Sequence, residues 1–148
     1  MTIFRLTGAA IVAAAATAAG AQIQLDPFAR ATYGIAACPA VAPRIYTTEE
    51  DGAQAHARSE RGTRCAMEGT CEPGGAYRRD PEINEAVRMA ISGDKRFVNT
   101  SVWVTTSRRW VTLQGCVASR VQRDVLVKFV ARQPRVERVF DELTVRAR

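Results

Sequence analysis

The chain has 148 residues, 47% of them hydrophobic and 7% aromatic, with 21 Lys and Arg against 15 Asp and Glu and a formal net charge of +6. Apart from its alanine-rich start it has no low-complexity tract, and no later apolar run approaches the ~20 residues that a membrane-spanning helix requires, so the mature chain reads as soluble. The positive charge belongs to the C-terminal half, where residues 81–148 carry thirteen Lys or Arg against seven Asp or Glu; such a surface favours anionic partners.

The opening "MTIFRLTGAAIVAAAATAAGAQ" places one positive charge, Arg5, before an uncharged alanine-dominated run that ends in small residues at Ala19 and Ala21. That layout predicts a secretory signal peptide over residues 1–21, cleaved after Ala21. The alternative, a bilayer-spanning helix, fits less well, because the run is shorter than the ~20 apolar residues a bilayer core requires and its alanines are only weakly apolar. The "IAAC" stretch ending at Cys38 has the look of a lipoprotein cleavage site, but the charged segment with Asp26 and Arg30 separates it from the apolar run, so acylation there is set aside. Export also argues against nucleic acid as the anionic partner.

Residues 22–80 form an N-terminal extension with three prolines (Pro27, Pro39, Pro43) followed by one short helix. Thr47 and Glu50 have the spacing of a capping box, Gly62 is the predicted C-terminal stop, and Ala53 and Ala57 lie on the face to be buried. So small a face holds little core of its own, and the extension must lean on something else. Beyond it comes "GTRCAMEGTCEPGG", which sets Cys65 and Cys71 in a glycine-rich loop.

The second half is strongly patterned. Asp80, Pro81 and Glu82 predict a helix start with Asp80 as N-cap, and Ile83, Val87, Ala90 and Ile91 then share one helical face that ends near Gly93. In "VNTSVWVTT", Val98, Val102 and Val104 alternate with polar residues; after a charged turn at "SRR", Val111 and Leu113 alternate in "WVTLQGCV", which completes a β-hairpin. Ser119 caps a second helix with Val121, Val125 and Phe129 in its stripe, widened by Leu126 and Val130, and Pro134 marks its end. A final strand carries Val139, Leu143 and Val145. The order αββαβ predicts an α+β, two-layer domain over residues 81–148: a three-stranded mixed sheet with two helices on one face.

The helix with Ile83, Val87 and Ile91, the "VTLQG" strand followed by Val117, and the ending "VERVFDELTV" resemble the BON domain of bacterial envelope proteins, including osmotically inducible periplasmic proteins, over roughly residues 81–146. The resemblance implies the αββαβ fold, an envelope setting, association with phospholipid surfaces or an interaction role, and no common catalytic residues. Two departures stand out. Family members usually have glycine in the hairpin turn, where this chain has Arg108 and Arg109, and glycine before the valine that opens the last strand, where it has Arg135. Glycine at such points permits a positive φ or a close backbone approach.

No nucleophile-elbow, zinc-protease, P-loop or dinucleotide motif occurs, and the one histidine, His56, lies on the alanine-rich helix without a positioned partner. Cys38, His56, Cys65 and Cys71 are suitable zinc ligands by type, yet their spacings do not follow paired CxxC, and CxxCH is absent, so neither metal nor cofactor is expected. In an exported chain four cysteines predict two disulfides. Local closure favours Cys65 with Cys71, which leaves Cys38 with Cys116; the rival is Cys38 with Cys65 and Cys71 with Cys116. Lys95, Arg96, Arg108, Arg109, Trp103 and Trp110 are the candidate surface for anionic phospholipid or an envelope protein. The alternative for the two tryptophans is packing beneath the extension. The expectation is a non-catalytic periplasmic protein of envelope maintenance or stress.

Overall fold

A computed structural model describes residues 23–146; the expected signal peptide lies outside them. The elements are β1 (Phe28–Arg30), α1 (Thr48–Met67), α2 (Asp80–Gly93), a 3-10 turn (Lys95–Phe97), β2 (Ser101–Ser107), β3 (Trp110–Val117), α3 (Arg120–Ala131) and β4 (Arg138–Val145). The α+β architecture is the expected one, with one strand more than predicted: the sheet order is β1-β2-β3-β4. β1 and β3 pair antiparallel with β2, whereas β4 is parallel to β3 across the α3 crossover.

Alternation along the strands produces the core. Val102 and Val104 of β2, and Val111, Leu113 and Val117 of β3, face Ile83, Val87 and Ile91 of α2 and Leu126 and Val130 of α3. Burying each such side chain stabilises the fold by roughly 1.5–3 kcal/mol relative to exposure. Phe97 closes one end of the core, its ring centroid 5.3 Å from that of Phe129.

Several expectations shift by a residue or a turn. Val98 does not join the strand: Asp94 accepts the Arg96 N–H and tightens residues 95–97 into a turn that buries Phe97 and leaves Val98 61% exposed, and β2 starts three residues later. Val121 is 72% exposed, because the buried stripe of α3 is centred on Leu126 and Val130, with Val125 and Phe129 at its margin. Ser119 does cap α3, accepting the Gln122 N–H. Asp80 does not cap α2: Arg79 holds that position without a side-chain cap, and the Asp80 carboxylate is bonded elsewhere.

The extension supplies the extra strand. β1 is too short to show alternation, and the exposed edge of β2 recruits it. Hydrogen bonds continue the pairing at both ends, from Thr106 N–H to the Pro27 carbonyl and from Gly34 N–H to the Thr100 carbonyl. Gly34 lies so close to the segment leading into β2 that a Cβ there would sit 2.2 Å from the Val98 carbonyl oxygen. The buried Asn84 amide of α2 donates to the Pro27 and Val104 carbonyls, which ties helix, extension and sheet together.

The capping box of α1 forms, Thr47 accepting the Glu50 N–H and Glu50 the Thr47 N–H. The helix does not stop at Gly62. It runs on to Met67, and Gly62 serves a different purpose: it lets the helix backbone pass close to Gly75, where a Cβ would meet the other backbone at 3.2 Å. Cys65 therefore sits in the last helical turn and is bonded to Cys71 across the chain reversal at Gly69, while Cys38 is bonded to Cys116 of β3. Ala53 stays exposed, and α1 is held instead by the Arg58–Asp26 ion pair at 2.7 Å and by Tyr77 beneath the Arg58 guanidinium.

The Cys38–Cys116 bond closes a loop of sequence separation 78 and fastens the extension to the sheet. In the chain-entropy model such a closure contributes about 4–5 kcal/mol. Urea unfolding of the Cys38→Ala, Cys116→Ala double variant should show a loss of that size, with β1 amides exchanging faster; a loss below about 1 kcal/mol would show that β1 needs no tether.

Candidate functional site

The helices cover one face of the sheet. On the other, alternation places Trp103, Thr105 and Ser107 of β2, Trp110, Thr112 and Gln114 of β3, and Arg138, Phe140 and Glu142 of β4. The extension crosses this face and covers part of it. Trp103 is only 5% exposed, with the Arg30 guanidinium carbon 4.3 Å from its ring centroid and that same guanidinium stacked on Tyr33 at 4.1 Å. The ring also crosses Gly115, where a Cβ would come within 2.9 Å of it.

Beside the covered part lies a groove of about 550 Å³ between α1, the extension and the sheet. Four arginines line it: Arg44, Arg58, Arg61 and Arg108. Aromatic rings back them, with Arg44 over Tyr46, Arg58 and Arg61 over Tyr77, and Arg108 over Trp110 at 4.0 Å. Trp110 meets Phe140 edge to face at 5.6 Å. Of the two acids in the lining, Asp26 is engaged by Arg58 and Glu142 accepts from the Gln114 amide. Arg44, Arg61 and Arg108 have no carboxylate within ion-pair distance among the described residues. The groove is therefore a cationic, aromatic-walled cleft.

The hairpin turn that brings Arg108 there is unusual. Two-residue hairpin loops favour the mirror-image turns, in which both central residues need positive φ and Asn-Gly or Gly-Gly is the common solution. Here Arg108 has φ 50° and Arg109 φ 66°. Each left-handed side-chain-bearing residue costs roughly 1–2 kcal/mol. The Asp80 carboxylate, 2% exposed at the start of α2, compensates by accepting the Arg108 N–H at 2.6 Å and the Arg109 N–H at 2.7 Å. Charge-assisted bonds of this kind contribute about 1.5–3 kcal/mol each. Arg135, the other position where the family pattern has glycine, also has positive φ, 65°.

The candidate residues separate into groups. Arg108 and Trp110 line the groove. Arg109 turns the other way, its guanidinium bonded to Glu137 and to the Thr70 carbonyl, and so joins the turn to the entry of β4 and to the Cys65–Cys71 loop. Trp103 lies under the extension. Lys95 and Arg96 are exposed at the opposite end of β2, about 20 Å away at ~3.3 Å per residue, where Arg96 is engaged by Asp94. The arginines of the extension were not singled out by the sequence reading, because their approach to the sheet depends on long-range docking; Arg138 and Phe140 were legible in principle from alternation in β4. His56 is exposed and faces Glu60 at 3.2 Å, outside the groove, and among the described residues no cluster of three or more His, Cys, Asp or Glu is placed to hold a metal ion.

Burial raises the Asp80 carboxyl above its ordinary value, against the lowering effect of the Arg109 and Arg108 N–H groups. The folded state then holds a proton that the unfolded state has released, so this group's contribution to stability falls as pH rises from the unfolded pKa through the folded one. Asp80→Asn should remove that dependence: in urea unfolding from pH 4 to 7, the stability difference between variant and parent should move in the variant's favour with rising pH. The opposite slope would mean that the two N–H bonds outweigh burial. Arg135→Gly should stabilise by about 1 kcal/mol by relieving the left-handed backbone, since its exposed pair with Glu82 contributes little; a loss would contradict the assigned strain.

Residues 79–147 match the family model described as BON domain. No curated protein matches the chain.

Proposed function

With residues 79–147 identified as a BON domain, a family typically associated with the envelope and generally non-catalytic, we propose that the protein is an exported periplasmic module that binds anionic phospholipid or another anionic envelope surface through the arginine-lined groove. Residues 1–21 are the signal for export, residues 22–80 the disulfide-fastened extension that forms one wall of the groove, and residues 81–148 the domain that supplies the other. The protein acts in envelope maintenance or stress by association, without catalysis.

The observation that carries this reading is the Arg108–Arg109 turn. Glycine would relieve the backbone at both positions at no steric cost, yet the chain holds arginines there and uses a buried carboxylate to do so. Backbone strain retained in this way points from structure to use. Arg108 presents an unpaired cation against the half-buried Trp110, a combination suited to a headgroup interface, where ring and charge both find partners.

Arg108→Gly separates binding from folding, because it removes the charge while easing the turn. Flotation with vesicles of phosphatidylglycerol at low salt should show parent protein bound and the variant weakened about fivefold, the equivalent of ~1 kcal/mol per basic residue near an anionic surface. Unfolding of the variant should show stability equal to or above the parent's. Absence of binding by the parent, or equal binding by both proteins, would overturn the lipid reading. A second reading, docking onto an envelope protein or a second copy, is favoured by one feature: the outer edge of β4.

A further inference from the structure

β4 ends the sheet. Among the described residues only β3 pairs with it, and no strand covers its other edge. Arg146 donates its N–H to the Val117 carbonyl, and the Leu143 N–H goes to the Asp141 carboxylate and not to β3; by the alternation of a β ladder, Val139, Asp141 and Leu143 turn their backbone groups outward, and Arg138, Phe140 and Glu142 turn theirs to β3. The side chains of those three residues lie on the groove face of the sheet, Arg138 over Trp110 at 5.0 Å, Phe140 against Trp110, and Glu142 on Gln114. Open strand edges are templates for pairing, and natural proteins usually cover them or set charges against it.

The charges on this edge are arranged for self-pairing. An antiparallel two-fold pairing must set outward-facing residues opposite one another, which limits the registers. Centring on Arg138 or on Glu142 opposes each residue to itself, and centring on Asp141 does the same to that carboxylate. Centring on Phe140 opposes the outward backbone groups of Val139 and Asp141 and sets Arg138 opposite Glu142 of the second copy twice over, with the two Phe140 rings meeting at the axis. Both charged residues are available: neither Arg138 nor Glu142 has an oppositely charged partner within ion-pair distance among the described residues. Phe140 is 39% exposed, large for an aromatic ring on a strand.

We propose that two copies of this chain pair antiparallel along β4, with Phe140 on the two-fold axis and reciprocal Arg138–Glu142 cross-strand pairs. The sheet becomes continuous through eight strands, and the two cationic grooves, each lined by Phe140 and Glu142, adjoin across the axis on one face. This inference does not depend on the lipid reading, and its test contains no lipid.

Sedimentation velocity of the purified, oxidised protein over a range from 1 to several hundred micromolar supplies the test. The parent should shift from monomer to dimer with concentration. Arg138→Glu and Glu142→Arg each place like charges opposite one another and should weaken dimerisation at least tenfold. The combined exchange restores opposition of unlike charges and should bring association back to within about threefold of the parent. Thermal unfolding of the three variants checks that these exposed positions have not altered the fold, and Phe140→Cys, whose opposed Cα atoms at ~4.5 Å suit a disulfide, should give a covalent dimer on oxidation. A parent that stays monomeric throughout, single reversals that leave the dimer intact, or a double exchange that fails to restore it would each overturn the proposal.

Discussion

The pairing of the Asp80 carboxylate with the two amides of the hairpin turn is the contact on which most of the molecule depends. It lies at the junction of helix and sheet layers, and it makes a two-arginine turn tolerable where glycine would normally be chosen. From that turn follow the β2–β3 register, in which Ser107 opposes Trp110, and the opposite directions of its side chains. Arg108 goes to the groove; Arg109 goes to Glu137 and Thr70, coupling the turn to β4 and to the small disulfide loop. Two left-handed residues at roughly 1–2 kcal/mol each are offset by two charge-assisted bonds at about 1.5–3 kcal/mol each, so strain and compensation are of the same size.

The extension changes what the sheet can do. Without it, the face opposite the helices would be an open, aromatic-rich surface with a free β2 edge. β1 closes that edge, Arg30 covers Trp103, and the Cys38–Cys116 bond keeps the segment in place. What is left uncovered is a cleft with cations on both walls, Arg44, Arg58 and Arg61 from the extension and Arg108 from the domain. The cationic lining of the cleft thus draws on both parts of the chain.

Much of this was legible in the sequence, and the illegible parts share a cause. The helical period of Ile83, Val87 and Ile91, the alternation through Val102, Val104, Val111 and Leu113, and the Ser119 cap are local signals, and the structure repeats them. The positions marked by missing glycines, Arg108, Arg109 and Arg135, are the three non-glycine residues with positive φ among those described, so the departure from the family pattern located the strain. Asp80 was misread because an acid before proline looks like a helix cap, and only the tertiary fold brings a turn from 28 residues downstream to its carboxylate. β1, the burial of Trp103 and the arginines of α1 depend on the same kind of long-range docking. Gly62 was read as a stop when it is a site of close backbone approach, two uses of glycine that a single sequence does not distinguish.

The most direct measurement of this arrangement is proton–nitrogen NMR of the Arg108 and Arg109 amides as pH is varied. Both amide protons should lie downfield, as charge-assisted bonds require, and both should shift upfield together with a single midpoint above the ordinary carboxyl range, as Asp80 takes up its proton when pH is lowered. Amides that titrate at different midpoints, or not at all, would mean that Asp80 does not hold the turn and that Arg108 reaches the groove by other means.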